Sequence, residues 1–383
     1  MERSVSEGRR LYRDVLNEVL KRIRPSAEER ERTLRFAERL VCILKNRLKE
    51  SGIEADVELQ GSIAKDTWLA GEKDIDIFIL LPRTYSREIF GKVLNVVKSV
   101  VGEDWKEAYA EHPYIQAKIG DFTVDCVPCF RVSKASDVSS SVDRTPLHTR
   151  YVREKLNGEL KNQVRMLKRF MKGIGTYGAE IKIGGFSGYL CELLTLYYGS
   201  FMNVLEAASS WRRGEIIDIE GYYQGNEEKV LELFKDSPLI VIDPTDKSRN
   251  VASSVRECKL SEFIAASRMF LRKPSITYFY PREIRPLSLK NLKNNLQKRG
   301  TSLLIIKFNA LDVVSDVLWG QLYKSLKAVS ELLASHDFRI LRQDVWSDEK
   351  EFCLFIFEME SLSLPPMKKH LGPPINKVSD CER

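Results

Sequence analysis

The sequence lacks any long apolar run. No stretch approaches the roughly 18 uncharged apolar residues that a membrane-spanning helix needs. The first ten residues are charged and contain no apolar core of the signal-peptide kind. These absences predict a cytoplasmic protein that neither enters a membrane nor is secreted.

The sequence also lacks a cysteine framework, because its seven cysteines are an odd number without regular spacing. Cys126 and Cys129 have the two-residue gap of a zinc or redox site. No second pair or nearby histidine cluster completes four ligands, so we interpret both as small apolar side chains. A reducing compartment suits this pattern.

Charge of one sign is only mildly in excess, with 61 Lys and Arg against 54 Asp and Glu and a net charge of +7. This excess suits an anionic partner such as nucleic acid, although a mixed solvated surface is the commoner cause of so mild an excess. The length of 383 residues predicts two or three domains, and the 43% of hydrophobic residues indicates a folded globular chain.

Helix and strand patterns alternate over the first 150 residues. Ser26, with Glu29 three residues later, predicts the start of a second helix that ends before Gly52. Residues 74–81 form the most strand-like run, and Ser86 is expected to cap a helix after it.

Later segments predict two further regions. A two-residue loop at 120–121 joins predicted strands 114–119 and 122–127, and residues 157–212 are patterned as helices. Strands at 239–242, 302–308 and 352–357 then alternate with helices near 261–272, 288–299 and 316–335. We interpret this last region as a small α/β sandwich with one face covered.

Asp74 and Asp76 are two residues apart in the strand-like run, so they share a face about 6.6 Å from each other. Ile75, Ile77 and Ile79 face the opposite side. Two like charges on one face repel unless a cation lies between them, and Mg²⁺ takes carboxylate oxygens. The pattern indicates a metal site, although an Asp-x-Asp at a solvated strand edge would have the same spacing.

Asp125 offers a third carboxylate on the second strand of the predicted hairpin. It would lie beside Asp74 and Asp76 if the hairpin paired with their strand. Two ions about 4 Å apart could then lower the pKa of an attacking hydroxyl and stabilise a leaving pyrophosphate.

Gly61 and Ser62 follow a predicted strand over residues 55–59. Glycine lets the backbone approach a ligand, and a serine at a helix start offers its hydroxyl and free N–H groups to phosphate. Eleven residues separate Ser62 from Asp74. This spacing resembles that of the polymerase-β-like nucleotidyltransferases.

A series of blocks, in order over residues 1–375, resembles the archaeal (class I) CCA-adding enzymes, which are tRNA nucleotidyltransferases of that superfamily. The blocks are residues 61–69, 74–78, 110–114, 124–129, 141–148, 177–180, 185–194, 243–244 and 249–252. The resemblance implies an α+β fold with a polymerase-β-like nucleotidyltransferase head, a helical central domain and a small α/β body domain. We expect boundaries at 1–152, 153–270 and 271–383, with the family's C-terminal tail domain truncated.

The resemblance also implies roles for particular residues. The metal-binding and catalytic carboxylates are Asp74, Asp76 and Asp125, with Mg²⁺ as cofactor. The nucleotide-binding residues are Ser62, Lys65, His148, Lys168 and Tyr177, with Arg249 as a weaker candidate for recognising the base. The family usually has Arg where this chain has Lys65, which keeps the charge but loses bidentate phosphate geometry.

Other roles remain open for several of these residues. Without the resemblance, His148 would cap local structure, Lys168 would be a solvated lysine and Tyr177 a core residue. The basic residues Lys290, Lys293, Lys298 and Arg299 on one predicted helix either contact RNA phosphate or form a solvated face.

The expected activity is template-independent addition of C, C and A to the 3′ end of tRNA from CTP and ATP. The resemblance also allows a homodimer. One alternative is another enzyme of the superfamily, a poly(A) polymerase or oligoadenylate synthase, which would add adenylate without using CTP. A second is an RNA-binding protein with an inactive head, which we would expect to have lost at least one of the three carboxylates.

Overall fold

The computed structural model describes residues 2–109, 111–134, 137–138, 140, 142–367 and 374, and of residues 2–11 it describes the backbone only. Ala110 and Ser141, from the family-like blocks, and Cys381 lie outside the described residues. The chain divides into two compact units, with the boundary between Glu283 and Ile284.

The first unit begins with two long helices. They are α1 (Glu2–Ile23) and α2 (Ala27–Glu50). The Ser26 side chain caps α2 by accepting a hydrogen bond from Glu29 N at 3.0 Å, which confirms the predicted helix start. Gly52, with φ +70°, follows the end of α2.

A five-stranded sheet follows, in the order β1-β2-β5-β4-β3. The strands of the sheet and the helices between them are β1 (Asp56–Gln60), α3 (Gly61–Lys65), β2 (Asp74–Leu81), α4 (Ile89–Val101), β3 (Trp105–Tyr109), β4 (Pro113–Ile119) and β5 (Phe122–Phe130). The strand at 74–81 and the hairpin are confirmed. The prediction for Ser86 is wrong, because α4 begins at Ile89 and Glu88 precedes it without a side-chain cap.

One core lies between this sheet and α2 and α4. The odd-numbered residues Ile75, Ile77 and Ile79 of β2 are buried in it beside Leu44 of α2 and Val93 of α4. Because side chains alternate along a strand, this burial turns the even-numbered residues of β2 to the other face.

Helices dominate the rest of the first unit. The helices are α5 (Thr145–Lys155), α6 (Gly158–Gly173), α7 (Gly188–Tyr198), α8 (Phe201–Ala208), α9 (Glu227–Leu233) and α10 (Glu257–Arg272), and the strands are β6 (Glu215–Ile217), β7 (Leu239–Asp243) and β8 (Asp246–Asn250). Phe170 of α6 is fully buried against the rings of Phe201, Phe263 and Phe270.

The strand at β7 requires a correction. The sequence pattern grouped it with the later strands of the body, but β7 pairs with β6 and β8 in a separate three-stranded sheet of the first unit. Its five residues are all buried. A short apolar run in the sequence predicts that a strand is buried, but it does not identify the sheet to which the strand belongs.

The second unit is a small α/β structure. It contains α11 (Leu289–Arg299), β9 (Ser302–Asn309), α12 (Ser315–Ser335), β10 (Ile340–Ser347) and β11 (Phe352–Met359). The sheet order is β10-β11-β9, and Leu318, Trp319 and Leu322 of α12 pack with Phe355 and Phe357 of β11. The predicted helices and strands of this region are confirmed, and the α+β fold class with them. Of the helices in the described parts of the chain, none has the length and apolar character needed to cross a membrane.

Candidate active site

The two strands β2 and β5 bring the predicted carboxylates together. They pair in parallel, and Asp76 lies directly opposite Asp125 in the register. Asp74 is two residues before Asp76 on the same strand and is the more exposed of the two. All three belong to the face of the sheet opposite the Ile75 core.

Gly61 makes room for the Asp76 side chain. A Cβ atom built on Gly61 would lie 1.8 Å from Asp76 Oδ2, and the φ of Gly61 is +66°, so a larger residue would be both sterically and conformationally unfavourable. The Asp76 carboxylate therefore packs against the backbone where β1 passes into α3.

Repulsion and burial raise the pKa of each carboxyl. For Asp76, burial, the nearby charge of Asp125 and that of Asp74 raise the pKa to about 6, although Lys65 and Lys168 oppose the shift. Burial is also the main cause of the raised pKa values of Asp74 and Asp125. Carboxylates held this way are stabilised by a cation between them.

The three carboxylates suit a metal ion by their chemistry rather than by a preformed geometry. Within the described residues, no group of three or more His, Cys, Asp or Glu side chains converges as a ready ion site. The three charges nevertheless influence one another, and Asp125 Oδ1 already accepts a hydrogen bond from Gln116 Nε2 at 2.8 Å. The donor set is all oxygen, which hard divalent ions prefer, so the chemistry of these residues fits such an ion.

Two of the predicted nucleotide-binding residues, Lys65 and Lys168, contact the same buried glutamate. Lys65 Nζ is 2.6 Å from Glu192 Oε2, and Lys168 Nζ is 3.4 Å from Glu192 Oε1. Lys168 also donates to the Thr67 carbonyl at 3.2 Å and hydroxyl at 3.0 Å. Lys168 is therefore a buried, paired residue, and the solvated alternative for it is wrong.

His148 and Arg249 meet at a second buried carboxylate. His148 Nε2 and Arg249 Nη1 are 2.9 and 2.8 Å from Asp243 Oδ2. The His148 ring stacks on Tyr189 with centroids 4.0 Å apart, and burial lowers the pKa of His148 in spite of Asp243. Burial alone would raise the pKa of Asp243, but its bonds to His148 and Thr245 hold that pKa well below the usual range.

Ser62 and Tyr177 are the remaining predicted nucleotide-binding residues. Ser62 lies in the short helix α3, where its carbonyl accepts a hydrogen bond from Thr67 N at 2.9 Å. Tyr177 is partly buried, with Lys172 Nζ 5.0 Å from its ring centroid. A Cβ built on Gly188 would lie 3.0 Å from the Tyr177 hydroxyl and 3.5 Å from Lys168 Nζ, so Tyr177 and Lys168 are neighbours.

Three residues of this site were missed from the sequence: Glu192, Asp243 and Gln116. Glu192 carried a signal, because it is the one charged residue in the apolar helical run 190–198, and a buried charge needs a partner. Asp243 ends a five-residue buried strand and gave a similar signal. Nothing in the sequence distinguished Gln116 from an ordinary strand residue.

Comparisons with known proteins first define the class. Three family models match: a nucleotidyltransferase domain over residues 41–148, the second domain of tRNA nucleotidyltransferase over 162–280, and the C-terminal domain of CCA-adding enzyme over 299–383. A solved cytoplasmic RNA terminal U-transferase superposes with a TM-score of 0.53 at 18% identity, covering 72% of this chain and 99% of that one. The Cid1 poly(U) polymerase gives 0.52 at 18% identity, covering 70% and 94%. The protein is thus a nucleotidyltransferase with a polymerase-β-like head.

The family follows from closer relatives. The CCA-adding enzyme of Methanothermobacter thermautotrophicus is 42% identical over 361 residues, covering 93% of this chain and 78% of that protein. That of Pyrobaculum islandicum is 40% identical over 370 residues, covering 94% and 82%. The chain belongs to the CCA-adding enzyme family, which confirms the family predicted from the motifs.

Proposed function

We propose that this protein adds C, C and A to the 3′ end of tRNA, using CTP and ATP and no nucleic acid template. The observation that carries the proposal is the register of Asp76 opposite Asp125, beside the Gly61 backbone, in a chain of the CCA-adding family. A poly(A) polymerase or an inactive RNA-binding head is not favoured, because the relatives are CCA-adding enzymes and all three carboxylates are present.

The metal in this proposal is Mg²⁺, held by Asp74, Asp76 and Asp125. Nucleotidyl transfer uses divalent ions of this kind, and oxygen ligands suit Mg²⁺. When bound, Mg²⁺ would lower the pKa of the primer 3′-hydroxyl and neutralise charge on the pyrophosphate that leaves. The Gln116 amide fixes one oxygen of Asp125 and so orients that carboxylate toward its partners.

The protein's cations hold the triphosphate. Lys65 and Lys168 bring two ammonium groups close enough to Asp76 to oppose the rise in its pKa, so phosphate oxygens can lie between lysines and carboxylates. Ser62, at the start of α3, offers a hydroxyl to the same phosphates. In the proposed reaction the primer hydroxyl attacks the α-phosphate in line and displaces pyrophosphate.

The base is held by the network around Asp243. His148 is largely uncharged near neutral pH because burial lowers its pKa, and it therefore offers hydrogen bonds rather than charge. Arg249, also tied to Asp243, presents a planar guanidinium to the base edge. Tyr177 completes the wall beside Lys168.

We also propose the domain limits expected from the sequence, with a catalytic domain at 1–152, a central domain at 153–270 and a body at 271–383. The boundary between Glu283 and Ile284 lies some residues after the second of these limits. A homodimer and a cytoplasmic location stay predictions.

The test is incubation of the protein with tRNA that lacks its 3′ end, with each nucleotide alone and with CTP and ATP together, followed by sequencing of the added residues. The proposal expects two C residues with CTP alone and C-C-A with both. Open-ended addition of A without use of CTP would identify a poly(A) polymerase instead. No addition at all would favour the inactive head.

A further inference from the structure

Glu192 is fully buried in an apolar part of α7. The side chains on either side of it in sequence, Leu190, Cys191, Leu193 and Leu194, have no exposed surface, and neither does Glu192. A carboxylate in such surroundings takes up a proton unless cations are beside it. Burial would raise the pKa of Glu192, but Lys65 and Lys168 outweigh burial and lower it, so Glu192 is ionised.

The cluster joins three elements of the first unit. Glu192 Oε2 accepts from Lys65 of α3 at 2.6 Å, and Oε1 accepts from the Thr67 hydroxyl at 2.6 Å. Lys168 of α6 approaches Oε1 at 3.4 Å. The formal charges of the cluster are one negative against two positive, a net of one positive unit, although burial and the Lys65 charge lower the pKa of Lys168 in spite of Glu192.

The two lysines depend on Glu192 to different degrees. Lys168 has further anchors in the Thr67 carbonyl and hydroxyl. Lys65 is held to Glu192 by a short charged hydrogen bond, and its ammonium also lies 5.7 Å from the centroid of the Tyr189 ring. A lysine ammonium has three protons, so this bond fixes the position of Nζ while leaving donors for an incoming phosphate.

Buried ion pairs of this kind are seldom the most stable filling for a core, because desolvation offsets much of the attraction between the charges. If the cluster served only to stabilise the fold, apolar side chains of similar size would stabilise it equally well. The cluster instead holds its excess positive charge near Asp76, where both lysines oppose the rise in the pKa of that carboxyl.

We propose that Glu192 is a positioning residue for nucleotide binding, which holds the Lys65 ammonium in place and directs it at the triphosphate. The inference rests on the proposed function in one respect, that the ligand is a nucleoside triphosphate. Glu192 itself contacts no substrate in this account. It acts through Lys65, and it links α7 to the segment that follows Gly61.

A pair of variants separates this role from simple packing. Glu192→Gln alone leaves two buried ammonium groups without a counter-ion and is expected to lower the melting temperature. Lys168→Met removes one of them, so the double variant Glu192→Gln/Lys168→Met restores the net charge of the cluster to one positive unit. The informative comparison is the double variant against Lys168→Met alone, with Glu257→Gln, an exposed partner of Arg213, as the control for loss of a glutamate ion pair.

The measurement is equilibrium dialysis of CTP and of ATP with each variant, without tRNA, alongside melting temperatures. We expect the double variant to bind both nucleotides about tenfold more weakly than Lys168→Met, which corresponds to losing one charged hydrogen bond that orients Lys65. Glu192→Asp should retain most of the affinity, and Glu257→Gln all of it. Equal dissociation constants for Lys168→Met and the double variant would overturn the proposal, and so would a loss that followed only the melting temperature.

This test is independent of the reaction product. If the wild-type protein bound CTP and ATP but did not add C, C and A, the proposed function would fail, while the ratio of dissociation constants would still decide the role of Glu192.

Discussion

Two charge clusters meet in the active site, and they are built in opposite ways. The carboxylates Asp74, Asp76 and Asp125 are like charges whose mutual repulsion and burial raise their pKa values. Lys65 and Lys168 have Glu192 between them as a shared counter-ion. Among the described residues, the first cluster has no cation between its carboxylates, whereas the second contains its own counter-ion. The proposed metal-binding half is therefore destabilised in the free protein, and the proposed phosphate-binding half is preorganised.

The largest effect is expected from Asp76→Asn, which removes a charge from the carboxylate cluster and leaves the lysine cluster unchanged. A neutral amide removes the central carboxylate from both proposed metal sites, so nucleotide incorporation should fall more than about a thousandfold. The measurement is kcat for incorporation at saturating Mg²⁺, CTP and tRNA. Asp56→Asn on β1, an exposed partner of Arg131, is the matched control and should retain activity. Near-normal turnover by folded Asp76→Asn protein would refute the metal assignment.

A smaller effect is expected from Gln116→Ala. Its amide holds Asp125 Oδ1 at 2.8 Å, and loss of a residue that orients a metal ligand usually lowers metal affinity or activity by about 10- to 100-fold. A titration of activity with Mg²⁺ should show a higher half-saturating concentration. Gln297→Ala on α11 serves as the control, and an unchanged Mg²⁺ curve for Gln116→Ala would show that Asp125 needs no such support.

Lys65→Ala tests the cluster of Lys65, Lys168 and Glu192 directly. Removing one ammonium should raise KM for CTP and ATP alike by about tenfold, because the triphosphate is common to both and loses a charge-assisted contact. Lys65→Arg should be tolerated, since it keeps the charge. Steady-state kinetics with each nucleotide gives the answer. A changed choice between C and A in Lys65→Ala would contradict a role limited to the triphosphate.

The smallest effect is expected from Asp243→Asn. The charge that holds His148 and Arg249 would be lost, so these residues should orient less well against the base, while the lysine cluster is unaffected. We expect the ratio of kcat/KM for CTP and ATP to change about fivefold, the worth of roughly one hydrogen bond. An unchanged ratio together with weaker binding of both nucleotides would assign Asp243 to the phosphate side.

Much of this site could be predicted from residues close together in sequence. Gly61, Asp74 and Asp76 lie within sixteen residues of each other, and strand periodicity is enough to give the two aspartates one face. The hairpin that carries Asp125 was also recognisable from its tight turn. Its parallel pairing with β2 is a long-range contact that local patterns do not determine.

The counter-ions were harder to predict, because they depend on packing between distant elements. Glu192 and Lys65 are 127 residues apart, and Asp243 and His148 are 95 apart. An apolar helix predicts burial of Glu192 but not the identity of its partner. The strand β10 was missed for a different reason. Its residues 342–344 are all polar and exposed, so the sequence lacks the alternation of apolar and polar residues that predicts a half-buried strand.

The most direct test of the contrast is the stability of wild type and Asp76→Asn as a function of pH and Mg²⁺. A carboxyl whose pKa rises from 3.8 to about 6 on folding opposes folding above pH 6, and this opposition fades as the pH falls toward 3.8. In EDTA at pH 8, Asp76→Asn should therefore be more stable than wild type by about 1–3 kcal/mol, with a smaller difference at pH 5. Mg²⁺ at pH 8 should stabilise wild type and leave the variant almost unchanged. Equal stabilisation of both proteins by Mg²⁺, or a variant less stable than wild type in EDTA at pH 8, would contradict the account.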